Sequence, residues 1–250
     1  MSKILKIVGT GRRGLRCRRA RVRAGLALSR SILALAAILF SVFFRPASAQ
    51  PLSPVDVKNL LARIHDLDAT SPSLRMDFQE RRIIHLMNKP IAYSGKIWFQ
   101  APNKFRREVR GNSPSVNVSD GQQLWIYYPN FKSAERYLLG KHSPADAAIA
   151  GINTALNLEG VEATFQISGN KIDNHYELQL LPRSPSMKGM FQGFGLRINQ
   201  DLFVERTEIL QPNRDRIVTT YSNQSRAPIP QSTFEFTPPP GTEVTTPLGR

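Results

Sequence analysis

After Cys17 the chain contains no cysteine, and its four histidines, His65, His85, His142 and His175, are scattered. None has a second His or Cys at metal-ligand spacing, so neither a zinc site nor a disulfide framework is expected. A G-x-S-x-G elbow is missing, and Gly189, Gly193 and Gly195 do not follow the spacing that cradles phosphates. No catalytic residue, cofactor or metal is nominated, and an enzyme is not expected. Acidic residues are absent from the first 49 positions, which hold 11 of the 34 Lys and Arg. Residues 50–250 carry the other 23 against 19 acidic side chains, a surplus of +4. That is a poor footprint for nucleic acid, even with Lys104, Arg106, Arg107 and Arg110 clustered around Phe105.

A membrane-spanning run is also lacking. The apolar stretch Ser31 to Phe44 has 14 residues between Arg30 and Arg45, short of the ~20 needed to cross a bilayer. Cations from Lys3 to Arg30 precede it and Ala47-Ser48-Ala49 follows it. This is the order of a secretory signal peptide, with cleavage expected after Ala49. Arg12-Arg13 leaves the choice between the general and twin-arginine routes open. Residues 1–49 are thus read as a signal peptide and 50–250 as one exported domain, held by an ordinary core and not by cross-links.

What is present is hydrophobic patterning. Ser53 can cap a helix that Pro54 opens, and Val57, Leu60, Leu61 and Ile64 fall on one face of it. From Leu74 the period changes to two: Leu74, Met76 and Phe78 alternate with Arg75, Asp77 and Gln79. Alternation recurs over Ile91–Phe99, Phe105–Val109, Val116–Val118 and, after the Asp120-Gly121 turn, Leu124–Tyr128. A second helix is expected after Ser143-Pro144, with Ile149, Ile152 and Leu156 on one face. Further strands are read near Phe165 and over Tyr176–Leu181, Phe194–Ile198, Phe203–Ile209, Ile217–Tyr221 and Phe234–Phe236. About ten strands and two helices predict a mainly β (α+β) fold, a single antiparallel sheet whose apolar side is curled inward or covered. Asp77 and Glu80 point to opposite faces of one strand, so they cannot flank a substrate bond and are read as surface charges.

Two segments carry more specific information. GKIWFQAPNKFRREV (Gly95–Val109) is followed by VSDGQQLWIYYP (Val118–Pro129), and FEFTPPPG (Phe234–Gly241) lies near the end. Together and in this order they resemble the LolA family of periplasmic carriers for outer-membrane lipoproteins. The resemblance covers nearly all of residues 54–245 and is weakest between Lys141 and Met190. It implies an unclosed antiparallel β-barrel, or half-barrel, with a helical lid over an apolar cavity for acyl chains. It also implies acylated lipoproteins as cargo, an inner-membrane lipoprotein-releasing ABC transporter as the loading partner, delivery to an outer-membrane acceptor where one exists, and a monomer.

Leu74, Met76, Phe78, Ile97, Phe105 and Ile126 are the candidates for the cavity side, and Phe105 aligns with a family aromatic linked to cargo handover. Each acyl methylene removed from water gains ~0.8 kcal/mol, so an empty carrier needs something displaceable on its greasy wall. Val57, Leu60, Leu61, Ile64, Ile149, Ile152 and Leu156 are expected to supply that lid. One departure stands out. Family members carry an Arg before the Pro that follows the aromatic strand, and that Arg latches the lid; here Ala101 precedes Pro102. Either a more readily opened lid or a substitute donor from Arg106 or Arg107 is expected. Two other readings stay open: a lipid- or lipoprotein-binding sensor or glycolipid transporter on the same half-barrel, and an exported enzyme without a recognisable motif.

Overall fold

A computed structural model describes residues 49–140, 158 and 160–247, all within one structural unit, residues 47–250. The helix expected after Ser143, with Ile149, Ile152 and Leu156, lies outside the described residues. The chain enters as strand β1 (Ala49–Pro51) and helix α1 (Pro54–Thr70). Ser53 caps α1 through a capping box: its hydroxyl accepts from the Asp56 N–H at 3.2 Å while Asp56 Oδ2 accepts from the Ser53 N–H at 3.1 Å. The Ser53 hydroxyl, which donates to Asp56 Oδ2 at 2.7 Å, and the Ser53 N–H together hold the Asp56 carboxyl below the usual aspartate range.

Six strands follow as a meander: β2 (Ser73–Ile83), β3 (Ile91–Gln100), β4 (Lys104–Arg110), β5 (Ser115–Ser119), β6 (Gln123–Tyr128) and β7 (Ser133–Leu138). A one-turn helix α2 (Val161–Thr164) leads into β8 (Phe165–Ile172) and β9 (His175–Pro182); the short helix α3 (Pro185–Met190) precedes β10 (Gly193–Asn199), β11 (Val204–Leu210), β12 (Arg216–Ser225) and finally β13 (Glu243–Thr245). The thirteen strands among the described residues form one sheet in the order β1-β8-β9-β10-β11-β12-β2-β3-β4-β5-β6-β7-β13. Pairing is antiparallel except between β13 and β7. The two end strands, β1 and β13, do not pair with each other, so the sheet is unclosed. Two meanders, β2–β7 and β8–β12, are thus fused where β12 pairs with β2.

Register fixes which side chains share a face, because residues directly opposite in a ladder point the same way. Met76 lies opposite Ile97, Ile97 opposite Arg107, Arg107 opposite Asn117 and Asn117 opposite Ile126. This inner face is the one that carries α1. Gly95 is required on it: a Cβ there would lie 1.8 Å from the Glu108 carbonyl oxygen and 2.7 Å from Phe78 Cε1.

The outer face of β4–β6 is covered by the C-terminal segment. Phe234–Phe236, expected as a strand, joins no ladder. Gln231–Phe234 is a 3-10 turn, Phe234 is 1% exposed, and the Phe236 ring sits 5.8 Å from Trp125 and 5.6 Å from Tyr127. Alternating aromatics gave the right burial and the wrong backbone, because Pro230 on one side and Pro238 to Pro240 on the other remove ladder donors.

Candidate functional site

The inner face holds two principal apolar clusters. In the first, α1 sets Val57, Leu60, Leu61 and Ile64 against Leu178 and Leu180 of β9 and Leu196 and Ile198 of β10, with Val161, Phe165 and Leu202 beside them. The i, i+3, i+4, i+7 spacing makes those four helix residues one buried stripe. The second cluster comprises Met76, Phe78, Ile97, Phe105 and Val109, with Leu74, Tyr93 and Tyr221 packed against it. Five of the six cavity candidates therefore come together. Ile126 does not join them; it packs with Leu124, Tyr137 and Leu139 farther along the sheet.

The clusters meet at a cleft where Ile64 and Asp68 of α1 face Leu74, Met76, Thr207, Tyr221 and Arg226. Its free volume is about 20 Å³, room for a water molecule and not for an acyl chain. In this conformation a chain could enter only by displacing α1 or its neighbours. A larger groove, about 880 Å³, opens across β8–β11, where Glu177, Arg197, Arg206, Glu208 and Arg216 are among the lining residues, and hydrocarbon laid there would desolvate these charges.

Inside the second cluster sits an ion pair that contradicts the reading of Glu80 as a surface charge. Glu80 is 8% exposed. It accepts from Arg82 Nε at 2.8 Å through Oε1 and from Arg107 Nη2 at 3.1 Å through Oε2. The Arg107 guanidinium lies 4.5 Å above the Phe78 ring, and burial pulls it below the usual arginine range against the opposing pull of Glu80. The sequence did contain the signal, since Glu80 shares the even parity of Leu74, Met76 and Phe78, and a strand sends alternate residues to one face. Asp77, of odd parity, is outside, where it accepts from Asn223 Nδ2 at 2.7 Å.

The two proposed substitute latches separate in the same way. Arg106 faces the outer side, donating to Glu108 Oε1 at 2.8 Å and to the Thr233 carbonyl at 3.2 Å. Arg107 faces inward but is engaged with Glu80. Ala101 itself donates its N–H to the Pro72 carbonyl at 2.9 Å, just beyond the end of α1. Among the described residues the charged tie from α1 to the sheet is Asp68, whose Oδ1 lies 3.6 Å from Arg226 Nε. Arg226 also lies 4.0 Å over the Phe203 ring and donates to the Leu202 carbonyl at 3.1 Å. Burial pushes the Asp68 carboxyl up to about 6, with Arg226 opposing the rise. Neither residue was singled out in the sequence, because their pairing joins positions 158 residues apart in the chain (226 − 68).

The family profile described as outer membrane lipoprotein carrier protein LolA matches residues 71–237. An outer-membrane lipoprotein carrier protein of Dechloromonas aromatica is 26% identical over 194 residues, covering 73% of this chain and 85% of the relative. One from Edwardsiella ictaluri is 27% identical over 148 residues, covering 59% of this chain and 68% of the relative. The crystal structure of a LolA superfamily protein from Nitrosomonas europaea has a TM-score of 0.38 at 14% identity, over 72% of this chain and 97% of that one, too distant a likeness to support a functional inference. The profile match, across both meanders and into the C-terminal segment, establishes that the chain belongs to the LolA family.

Proposed function

We propose that this protein is a periplasmic carrier that shelters the acyl chains of lipoproteins between the inner and outer membranes. The observation that carries this reading is the pairing, on one sheet face, of a strip of large apolar side chains with an amphipathic helix packed over the adjoining strands. Met76, Phe78, Ile97 and Phe105 offer the strip; Val57, Leu60, Leu61 and Ile64 offer a displaceable cover. Ile64 and Asp68 of α1 meet Leu74 and Met76 at the edge of the strip, so hydrocarbon spreading from the strip competes with the helix at that seam, and a closed, filled inner face is the expected vacant state. Family membership and the carrier names of the relatives support the same role.

In this reading residues 1–49 direct export and are removed after Ala49. An inner-membrane ABC transporter loads the domain, Phe105 takes part in handover, and an outer-membrane acceptor, where one exists, receives the cargo. Ile149, Ile152 and Leu156 complete the lid. The protein works by binding, with no catalytic step. Purification from periplasm followed by mass spectrometry of what co-purifies tests it. Acylated proteins are the expected result; free glycolipid would move the assignment to a glycolipid transporter, and the absence of any acylated molecule would overturn it.

A further inference from the structure

The Glu80–Arg107 pair is unexpected on a surface meant for hydrocarbon. Two charges withdrawn from water cost several kcal/mol each, and apolar residues of similar volume often serve stability equally well. Something other than folding must favour them here. Arg107 carries five N–H donors, and among the described residues one of them is bonded, to Glu80. Directly across the β4–β5 ladder is Asn117, whose Oδ1 is buried without a hydrogen-bond partner among the described residues. Spare donors thus belong to one strand and an unanswered acceptor to its neighbour, the two backbones lying ~5 Å apart.

Their position along the strip is equally telling. Running up β2, the inner residues are Leu74, Met76 and Phe78, then Glu80 and Arg82, and the Arg82 side chain is 47% exposed at the rim. The strip therefore passes from apolar depth to polar rim over the seven residues from Leu74 to Glu80, six steps or roughly 20 Å at strand rise. An acyl chain occupies about half of a ~30 Å hydrocarbon core. In the ladder Arg107 and Asn117 stand level with Ile97 and Met76, and the Arg107 side chain reaches from there past the Phe78 ring to Glu80, so a chain laid along this strip would bring its polar end to that guanidinium.

Resting on the carrier reading above, we propose that Arg107 and Asn117, with Glu80 as the counter-ion that orients Arg107, form a polar subsite for the ester and amide linkages at the acylated end of the cargo. Arg107 donates to ester carbonyls, and Asn117 accepts from the amide N–H of the acylated residue. Recognition then reads the linkage as well as the grease, which separates an acylated peptide from a bare hydrocarbon of equal length.

The test uses two synthetic probes, an N-palmitoyl cysteinyl peptide bearing a dipalmitoyl glyceryl group in ester linkage and its ether-linked twin with the same N-acyl amide, titrated against the exported domain by calorimetry. Wild type should bind the ester probe about tenfold more tightly, the worth of one charge-assisted hydrogen bond. Arg107→Met should abolish that preference while leaving the ether probe's affinity in place, and Arg107→Lys should restore part of it. If Arg107→Met does not fold, Asn117→Leu provides the second arm, with both probes weakened about equally because both retain the amide. Equal binding of the two probes by wild type would overturn the subsite and leave the carrier reading standing. Binding of neither probe would overturn both.

Discussion

The half of the inner face under α1 and the half beyond it are built differently. On β9 and β10 the inward residues Tyr176, Leu178, Leu180, Phe194, Leu196 and Ile198 are all aliphatic or aromatic, and the four aliphatic ones are at most 3% exposed. On β4, β5 and β6 the inward set runs Phe105, Arg107 and Val109, then Asn117 and Ser119, then Leu124 and Ile126. Folding alone selects the first composition. The second carries desolvation costs that a plain core avoids. One half is the keel that keeps the sheet folded, and the other is the surface offered to a ligand.

Core truncations should break this contrast most directly. Leu180→Ala removes a side chain that is 2% exposed and should cost about 2–5 kcal/mol in urea unfolding. Ile126→Ala, on a half-buried residue outside both main clusters, should cost about 1 kcal/mol while weakening the binding of an acylated peptide. Equal destabilisation by the two would mean that both halves are ordinary core.

Next in size is the internal ion pair. Glu80→Gln leaves Arg107 buried without a counter-charge and should destabilise by about 3 kcal/mol, whereas the double variant Glu80→Gln with Arg107→Met should regain most of that. Additive losses in the double variant would show that the pair holds the fold and is not an excess retained for a ligand.

How much of this was visible beforehand follows from what strand periodicity can report. Alternation located β2 through β6 and the α1 stripe, because each buried face repeats at a fixed interval. It failed for β7, whose Ser133-Ala134-Glu135-Arg136-Tyr137-Leu138 mixes polarities on both faces; Ala134, fully buried, is too small to mark the pattern. Glu80 was misassigned because its charge was weighed before its parity. Arg106 and Arg107 look alike in sequence and differ only in which side of the sheet they face. The Asp68–Arg226 contact could not be read at all, since nothing local links the end of a helix to the residue after β12.

That contact sharpens the comparison at its seam. Asp68 is held near 6 in the fold against 3.8 as its ordinary value, so the folded protein binds this proton more tightly than the unfolded chain. Its contribution to stability is greatest below about pH 4 and is lost as pH rises through 6. A shift of this size corresponds to about 3 kcal/mol at most, and partial exposure of the carboxylate reduces it to about 1.5 kcal/mol. Two neighbouring acids, Asp66 and Asp68, in the last turn of α1, with no basic residue there, add a dipole conflict. Asp68→Asn should therefore stabilise the protein at pH 7.5 and remove the share of the pH 4 to pH 7 stability difference, about 1.5 kcal/mol, that this carboxyl contributes. His65 and Arg226, the other charged groups acting on Asp68, remain in the variant, so the subtraction isolates this carboxylate. A variant less stable than wild type at pH 7.5 would show that the ion pair outweighs burial and serves as a latch.

The smallest expected effect lies at the other end of the same helix. Ser53→Ala removes the hydroxyl that caps α1 and should cost about 1 kcal/mol. The loss falls on the cover and not on the apolar strip, so hydrogen exchange should quicken in the first turn of α1 while the amides of β3 and β4 stay protected. A cover that is easier to lift leaves more of the surface free to an acyl chain, so the same variant should bind an acylated peptide about fivefold more tightly. Faster exchange without a gain in affinity would mean that α1 belongs wholly to the keel, and that the ligand displaces some other part of the chain.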